Sequence, residues 1–240
     1  MVTGAAGGIG RAVVERLDDD GFDVLAVDIE PATGSPGAPH AADLTTREGN
    51  RGAVDAALEA FGRLDVVVAN AGVQHVAPVE EFPEDRWDLL IALMLTSPFL
   101  IARYAWEALG EHGDGRFVAI ASAHALAASP YKSAYVSAKH GVLGLVKTLA
   151  LEGADRGILT TAVCPAFVRT PLVEKQIADQ AKAHGISEEE VEEQVILAPH
   201  AVKRLIEPSE VAATVSFLCG PGGATFTGVP VTMDLGWTAR

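Results

Sequence analysis

The chain has 240 residues, of which 49% are hydrophobic and 21% are charged, and its 32 acidic against 18 basic side chains give a formal net charge of −14. This apolar content is enough for a sizeable core, which excludes intrinsic disorder and predicts a single domain over residues 1–240. The negative charge repels phosphate backbones and anionic lipid headgroups, so nucleic acid and membrane surfaces are not expected as partners.

Cysteine, histidine and targeting patterns narrow the class of protein further. Cys164 and Cys219 stand far apart and outside any CxxC pattern, so neither a disulfide framework nor a thiolate metal site is predicted. The seven histidines are scattered without paired-ligand spacing, and we expect no metal. No basic region followed by an apolar stretch opens the chain, and the apolar runs are far shorter than the ~18 residues of a membrane span. We expect a cytoplasmic protein.

Short apolar runs alternate with longer stretches of helical period along the whole chain. The runs predict strands at 23–27, 64–69, 115–121, 158–163 and 229–233, and the stretches predict helices at about 9–20, 47–61, 83–109, 131–153 and 208–218. Because the runs are nearly continuously apolar, the strands are expected to be buried on both faces, as in a parallel sheet. The predicted fold is α/β: a doubly wound, Rossmann-type parallel sheet with helices on both faces.

Two segments fall outside this alternation. Residues 31–39, rich in Gly, Pro and Ser, predict a surface loop. The acidic run 188–193 lies in an amphipathic segment, where a solvated helix face is the simplest interpretation. The insertion is also long enough to form a mobile substrate lid, which we place at 171–207.

A glycine-rich turn, Thr3-Gly4-Ala5-Ala6-Gly7-Gly8-Ile9-Gly10, directly precedes the first predicted helix. Glycines 4, 8 and 10 would let a pyrophosphate approach backbone N–H groups at the helix N-terminus, where a Cβ would obstruct it. Only Met1 and Val2 precede this turn, whereas a strand has about five residues. We therefore expect the first strand to be truncated, and we suspect a misassigned start or an incomplete sequence.

Polar residues at the ends of later strands extend the predicted nucleotide site. Asp28 ends the second strand, 18 residues after Gly10, where a carboxylate accepts hydrogen bonds from ribose hydroxyls and repels a 2′-phosphate. This favours NAD over NADP. Asp43-Leu44 could contact the adenine, and the small-residue turn Asn70-Ala71-Gly72 could pass under the cofactor.

Ser122 follows a predicted strand, and Tyr135 and Lys139 come one helical turn apart thirteen residues later. A phenol, with an ordinary pKa of about 10, acts as an acid or base near neutrality only when nearby cations stabilise the phenolate. Lys139 could supply such a charge while Ser122 hydrogen-bonds the reacting oxygen. We predict these three residues to be catalytic.

Taken together, TGxxxGxG at 3–10, the Asn-Ala-Gly turn, Ser122, YxxxK at 135–139 and Pro165-Ala-Phe-Val-Arg-Thr170 resemble the classical short-chain dehydrogenase/reductase family over nearly the whole chain. The resemblance implies a homotetramer and a cofactor-binding role for Tyr135 and Lys139. It also implies the remaining contacts to NAD, which together with those above are Thr3, Gly4, Gly8, Ile9, Gly10, Asp28, Asp43, Leu44, Asn70, Ala71, Gly72, Pro165, Val168 and Thr170.

Within the family, the stretches 70–78, 121–124, 132–141, 169–177 and 236–240 closely resemble the bacterial D-3-hydroxybutyrate dehydrogenases. The similarity implies that a substrate carboxylate is held by Gln74, His124, Lys132 and Gln176, with Trp237 near the pocket and Ser122 and Tyr135 at the reacting oxygen. Two amides, an imidazole and an ammonium are the donors that a small anion needs when it approaches a protein of charge −14.

Three positions depart from the family pattern. Met94 stands where the family carries an asparagine that holds a water of the proton relay, and a thioether cannot replace an amide there. We expect slower turnover or a relay through another group, and we expect Met94→Asn to raise kcat. Ala166 replaces a common glycine, and with Phe167, which could line the pocket, it leaves substrate preference open.

The leading hypothesis is an NAD-dependent enzyme that interconverts (R)-3-hydroxybutyrate and acetoacetate, a small hydroxy acid and oxo acid. One alternative is a reductase of 3-oxoacyl groups or of other small alcohols and ketones, which would prefer bulkier, uncharged substrates and NADPH. Another is a catalytically impaired NAD-sensing paralogue, which Met94 favours and the retained Ser122, Tyr135 and Lys139 disfavour.

Overall fold

The computed structural model describes residues 1–32, 34, 36–174 and 176–239. Over these residues the chain forms a seven-stranded sheet in which every pairing is parallel. The strands are β1 (Val2–Thr3), β2 (Leu25–Asp28), β3 (Ala38–Ala41), β4 (Val66–Ala69), β5 (Gly115–Ile120), β6 (Ile158–Pro165) and β7 (Pro230–Met233). Their order is β3-β2-β1-β4-β5-β6-β7, which reverses direction between β1 and β4.

Helices cover both faces of this sheet. They are α1 (Gly8–Asp19), α2 (Arg47–Phe61), α3 (Glu84–Ile91), α4 (Ser97–Gly110), α5 (Ser133–Gly153), α6 (Pro171–Glu174), α7 (Ile177–His184), α8 (Glu188–Val191) and α9 (Pro208–Cys219). Apolar residues of α1 and α9, such as Val14 and Val215, pack on one face of the sheet. Residues of α2, α4 and α5, such as Val54, Ile101 and Val146, pack on the other. The predicted doubly wound α/β class is confirmed.

The first strand is short, as the sequence predicts, and it lies in the middle of the sheet. Val2 pairs with Ala26 on one side and with Val68 on the other, so β1 is flanked by β2 and β4. The amine of Met1 donates to the carbonyl of Val66 at 2.9 Å, which extends the pairing with β4 by one residue. The glycine turn after β1 is therefore held at the centre of the carboxyl edge.

The loop predicted for residues 31–39 was too long, because Ala38–Ala41 forms the edge strand β3. Its sequence, Ala-Pro-His-Ala, has weak strand character, since proline cannot donate to a ladder and is accepted only at an edge. Pairing with β2 provides the stabilisation that local propensity does not. Positions 33 and 35 of the predicted loop lie outside the described residues.

The helix predicted at 83–109 is divided by a π-helical turn, Ala92–Thr96, between α3 and α4. By length and composition alone, Glu84–Gly110 is long and apolar enough to cross a membrane. Its apolar side chains, however, are used in the core: Leu90, Ile101 and Leu109 are each 1% exposed. The π turn places Met94 in this core at the boundary between the two helices.

The insertion at 171–207 folds into α6, α7, α8 and a π-helical turn, Glu192–Ile196. These elements enclose a small apolar cluster of their own, formed by Ala181, Val191, Ile196 and Leu205. The glutamates at 188–190, 192 and 193 are exposed, in agreement with the predicted solvated face. Position 175 lies outside the described residues, and movement of the segment as a lid stays a prediction.

Candidate active site

A cavity of about 470 Å³ opens at the carboxyl edge of the sheet, near the point where the strand order reverses. In open α/β sheets this is where ligands bind. The predicted site residues that line it are Gly4, Gly8, Ile9, Asp28, Asp43, Leu44, Asn70, Ala71, Gly72, Gln74, Ser122, His124, Lys132, Tyr135, Lys139, Pro165, Val168, Thr170 and Gln176. Residues far apart in sequence are thus brought to one cavity.

Three predicted site residues do not line the cavity, and each supports one that does. The buried Thr3 hydroxyl accepts hydrogen bonds from the N–H groups of Asn70 and Ala71, at 2.9 and 3.1 Å. Gly10 packs against the Gly4 carbonyl so closely that a Cβ at position 10 would lie 2.0 Å from its oxygen. The ring of Trp237 lies 4.8 Å from the ring of His124.

The glycine turn presents backbone donors to one end of the cavity. The N-terminus of α1 has no side-chain cap at Gly7, so its first N–H groups have no partner from a capping side chain. Gly4 and Gly8 have φ angles of +64° and +54°, a region that disfavours residues with a Cβ. Asn70 donates to the carbonyls of Thr3 and Gly4 at 2.9 and 3.2 Å, which holds the turn. This end of the cavity suits an anionic phosphate group.

Two aspartates lie near the turn. The Asp28 carboxylate accepts hydrogen bonds from the N–H groups of Ala6 and Ile29, at 2.9 and 2.8 Å, and faces the cavity from the end of β2. Asp43 accepts from the hydroxyl and the N–H of Thr45, and these hydrogen bonds lower the pKa of its carboxyl. A carboxylate at each of these positions disfavours a further phosphate nearby.

The three predicted catalytic residues lie together. Ser122 follows β5, and its hydroxyl oxygen accepts the N–H of His124 at 3.1 Å while its proton can go to the carbonyl of Pro165 at 3.4 Å. Burial raises the pKa of Tyr135, and a hydrogen bond with Ser122 opposes that rise. The arrangement places a phenol and a hydroxyl side by side at the cavity wall.

Lys139 lies one turn after Tyr135 on α5, and both side chains face the same way. Its ammonium donates to the carbonyl of Ile120 at 2.7 Å and lies 5.5 Å from the centre of the Tyr135 ring. Burial lowers the pKa of Lys139 to about 8. It therefore remains a cation at neutral pH and can stabilise negative charge on the phenol.

A second buried lysine stands at the other end of the cavity. Lys132 is 3% exposed, its ammonium lies 4.7 Å from the centre of the Phe167 ring, and burial lowers its pKa to about 8. Among residues 1–32, 34, 36–174 and 176–239, no carboxylate lies within 4.0 Å of it. A buried ammonium without an anion is costly, so this is a site for an anionic ligand.

The two predicted amide ligands differ in what they can offer. The Gln74 carbonyl accepts the N–H of His75 at 3.0 Å, which leaves the amide N–H₂ of Gln74 available to the cavity. Gln176 donates to the carbonyl of Leu172 at 2.8 Å, and its own carbonyl oxygen is buried without a partner in the described part of the chain. Gln74 is thus the better oriented donor for an anion.

Sequence reasoning missed two polar contributors to this end of the site. The Ser129 hydroxyl lies 3.0 Å from Nε2 of His124, and nothing in the sequence around it indicates such a contact. His200, from the end of the insertion, is buried and packs against Trp237 and Phe167 at ring separations of 6.5 and 6.0 Å. A lone histidine in an irregular segment has no pattern that would have revealed this.

Met94 reaches the cavity wall from the π turn. It is 1% exposed, and its sulfur would lie 3.3 Å from a Cβ at Gly72. Its neighbours Leu90, Ala134 and Ala138 are apolar and buried. The position is therefore packed as part of the core, without a polar group of its own to hold a water.

In the described ranges, no group of three or more His, Cys, Asp or Glu side chains is placed to hold a metal ion. The cavity combines the uncapped N-terminus of α1, a Ser-Tyr-Lys group and a buried cation.

Comparison with known proteins agrees with this arrangement. The family model described as short chain dehydrogenase matches residues 1–181. The chain is 42% identical to a D-beta-hydroxybutyrate dehydrogenase of Rhizobium meliloti, with 100% of this chain and 98% of the relative covered. It is 36% identical to a D-beta-hydroxybutyrate dehydrogenase of Cupriavidus necator, with 100% and 97% covered. The ligand-free structure of the aldohexose dehydrogenase of Thermoplasma acidophilum superposes with a TM-score of 0.91 at 30% identity, covering 100% of this chain and 93% of that one. The protein belongs to the short-chain dehydrogenase family and is an oxidoreductase of that family.

Proposed function

We propose that the protein is an NAD-dependent dehydrogenase that interconverts (R)-3-hydroxybutyrate and acetoacetate. The observation that carries the proposal is the buried ammonium of Lys132, which has no carboxylate partner in the described residues and lines the same cavity as Ser122 and Tyr135. A substrate with one carboxylate next to a reacting oxygen would satisfy both groups at once. The two D-beta-hydroxybutyrate dehydrogenases among the relatives support the same substrate.

The proposed cofactor follows from the donors and charges around the glycine turn. The uncapped N-terminus of α1 suits a pyrophosphate, and the close contact of Gly10 with Gly4 keeps this turn free of side chains. Asp28 would accept hydrogen bonds from the ribose hydroxyls and repel a 2′-phosphate, which favours NAD over NADP. When bound, NAD supplies the acceptor for the hydride lost from C3 of the hydroxy acid.

Side chains of this protein accept and return the proton of the reacting oxygen. Tyr135 takes the hydroxyl proton in the direction of oxidation and returns it to the oxygen in reduction. Ser122 donates a hydrogen bond to that oxygen and holds it next to the phenol. Lys139 lies behind Tyr135 and lowers the cost of charge on the phenol, which burial alone makes high.

Substrate binding is assigned chiefly to Lys132 and Gln74. The ammonium supplies the charge and the Gln74 amide a directional donor, Gln176 lines the cavity wall with them, and Trp237 packs against the ring of His124. Both ring nitrogens of His124 already have serine partners, at 3.4 and 3.0 Å. We propose His124, which lines the cavity, as a further ligand of the carboxylate, and its contact with Ser122 also supports that hydroxyl.

The remaining expectations concern the whole molecule. We propose a cytoplasmic homotetramer, as the family resemblance implies, without nucleic acid or membrane as partner. Segment 171–207 is proposed as a lid, because Pro171, Leu172 and Val173 contribute to the cavity wall. Closure of this segment would exclude water from the reacting oxygen.

The decisive experiment follows the absorbance of NADH with acetoacetate, then with a 3-oxoacyl thioester, and repeats both with NADPH. We expect turnover with acetoacetate and NADH, and none with Tyr135→Phe, a variant that should still bind NADH. A preference for the thioester with NADPH would indicate an oxoacyl reductase. Binding of NADH without turnover of either substrate would indicate a sensor.

A further inference from the structure

A buried hydrogen-bonded pair joins α2 to α4. Asn50 on α2 and Ser97 at the start of α4 are 0% and 2% exposed. The Ser97 hydroxyl lies 2.6 Å from Oδ1 of Asn50. On the other side of the amide, Nδ2 lies 2.8 Å from the carbonyl oxygen of Leu44 and 2.6 Å from that of Thr46. Two polar side chains in the core thus connect α4 to the segment that precedes α2.

The chemistry of the groups fixes the direction of these three hydrogen bonds. A backbone carbonyl oxygen only accepts, so the group of Asn50 that faces Leu44 and Thr46 is the amide N–H₂. The amide oxygen of Asn50 also only accepts, so the Ser97 hydroxyl donates to it. Each polar atom of the Asn50 side chain therefore has a partner, and the amide has one orientation.

The segment that Asn50 holds forms part of the cavity wall. Asp43, Leu44 and Thr45 line the cavity and lead into α2, whose N-cap is Thr46. The Asp43 carbonyl accepts from the N–H and the hydroxyl of Thr46 at 3.2 and 2.9 Å. This loop is thus held against the first turn of α2, and Asn50 holds it at the carbonyls of Leu44 and Thr46.

The Leu44–Thr45 peptide links Asn50 to the Asp43 carboxylate. The Leu44 carbonyl and the Thr45 N–H belong to one planar peptide unit and point in opposite directions. The carbonyl accepts from Asn50, while the N–H donates to Oδ1 of Asp43 at 2.9 Å. The Thr45 hydroxyl donates to the same oxygen at 2.6 Å, which leaves Oδ2 of Asp43 outside both contacts. The orientation of this peptide therefore sets the orientation of the carboxylate.

We propose that Asn50 and Ser97 are positioning residues for the adenine half of the cofactor. Ser97 holds the Asn50 amide, and the amide holds the Leu44–Thr45 peptide. The peptide in turn directs the Asp43 carboxylate to the adenine amino group. Neither Asn50 nor Ser97 lines the cavity, so both act through Asp43. The inference rests on the proposed function only in taking an adenine dinucleotide as the cofactor.

The binding test uses ligands that represent the two halves of the cofactor. AMP carries the adenine without the nicotinamide, and reduced nicotinamide mononucleotide carries the nicotinamide without the adenine. Their Kd values and that of NADH are measured by isothermal titration calorimetry, so no turnover is needed. Asn50→Val removes the amide but keeps a side chain of similar size. We expect Kd for NADH and AMP to rise about ten-fold, the scale of one lost hydrogen bond, and Kd for the mononucleotide to change less than about two-fold.

Ser97→Ala tests the second member of the pair. It keeps the amide and removes the donor that holds it, so we expect Kd for NADH and AMP to rise about three-fold. The double variant should bind as Asn50→Val does, because Ser97 acts only through Asn50.

Thr160→Val is the matched control for the loss of a buried hydrogen bond. Thr160 is 0% exposed on β6, and its hydroxyl donates to the carbonyl of Val146 on α5 at 2.8 Å. The variant loses this hydrogen bond at another place in the core. All three Kd values should stay near those of the wild type.

A second measurement needs no ligand. Hydrogen exchange of the cofactor-free protein, measured by mass spectrometry over residues 42–47, reports how firmly the loop is held. We expect faster exchange of this segment in Asn50→Val and in Ser97→Ala than in the wild type, and an unchanged rate in Thr160→Val. If Asn50→Val does not fold, Ser97→Ala decides by both measurements.

Three results would overturn the proposal: equal rises in Kd for AMP and the mononucleotide, an unchanged Kd for NADH, or wild-type exchange of residues 42–47 in the variants. Equal rises would show that the pair only stabilises the fold. A wild-type protein that binds no adenine dinucleotide overturns this proposal together with the proposed cofactor. A wild type that binds NADH but does not turn over acetoacetate overturns only the proposed substrate.

Discussion

Lys132 shows how a single residue gives the cavity its chemistry. An exposed lysine contributes little to selectivity, whereas a buried ammonium must find an anion or lose its proton. Its ammonium lies over the face of Phe167 at the cavity wall, and burial lowers its pKa to about 8. The carboxylate of a bound substrate would restore the missing counter-charge.

This lowered pKa predicts how substrate binding depends on pH. Lys132 holds its proton below about pH 8 and loses it above, so KM for acetoacetate should rise as the pH passes through 8. KM for methyl acetoacetate, which has no carboxylate, should not follow. Lys139 titrates in the same range, but its loss of charge should lower kcat with both substrates. An equal pH dependence of KM for acid and ester would contradict the role of Lys132.

Asp28 carries the prediction on cofactor choice. Removing its carboxylate in Asp28→Ala should raise the ratio of kcat/KM for NADPH to that for NADH by about ten-fold, because one like-charge repulsion is lost. Asp23→Ala makes the same change of net charge at an exposed position before β2 and should leave the ratio unchanged. If both variants shift the ratio equally, overall charge rather than Asp28 sets the preference.

Among single residues, the sequence indicated those functional residues that occur at a characteristic spacing. Tyr135 and Lys139 one turn apart, and glycines before a helix, can be recognised without coordinates. Ser129 and His200 could not be, because their roles depend on a contact with a ring from another element. Family resemblance implies that His124 holds the substrate carboxylate, which stays a prediction, and the structure adds serine hydroxyls near both of its nitrogens.

At the scale of elements, the helix pattern at 83–109 concealed the π turn at Ala92–Thr96. The periodicity of apolar residues shows which side of a helix is buried. It does not reveal the one extra residue that a π-helical turn contains. The turn matters because it places Met94 at the cavity wall, against Gly72. The edge strand β3 was missed for the opposite reason, since tertiary pairing overrides a weak local preference.

Met94→Asn tests whether the amide common in the family improves the relay. We expect a higher kcat with acetoacetate, because an amide can hold a water that a thioether cannot. We also expect a lower melting temperature, since a polar group replaces a fully buried one at a cost of about 1–3 kcal/mol. Met94→Leu is the control for packing and should leave kcat near the wild type. An unchanged or lower kcat in Met94→Asn, with the protein folded, would show that this chain does not use that relay.

At the scale of the whole molecule, apolar side chains remain uncovered in the single chain. Leu151 is 83% exposed at the end of α5, and Val229 is 39% exposed just before β7. Gly228 packs against Ala150, so these two exposed residues lie on the same part of the surface. Exposed apolar groups that gather in one place are typical of contacts between protein subunits.

Leu151→Asp tests the proposed homotetramer. A charge at the centre of an apolar contact should reduce the mass measured by sedimentation velocity toward that of smaller assemblies. Asp155→Ala, an exposed change in the following turn, serves as the control and should leave the mass unchanged. A Leu151→Asp protein of wild-type mass would exclude this surface from the subunit contact.

The sequence by itself determined the alternation of strands and helices, the glycine turn, and the Ser-Tyr-Lys group. These are local features, because the periodicity of apolar residues and the backbone freedom of glycine depend only on residues that are neighbours in sequence. Only the tertiary structure decided that Lys132 has no acid beside it among the described residues, that the His124 ring lies between two serines, and that Met94 reaches Gly72. Each of these is a distance between elements, set by how the helices pack on the sheet, and no sequence spacing encodes it.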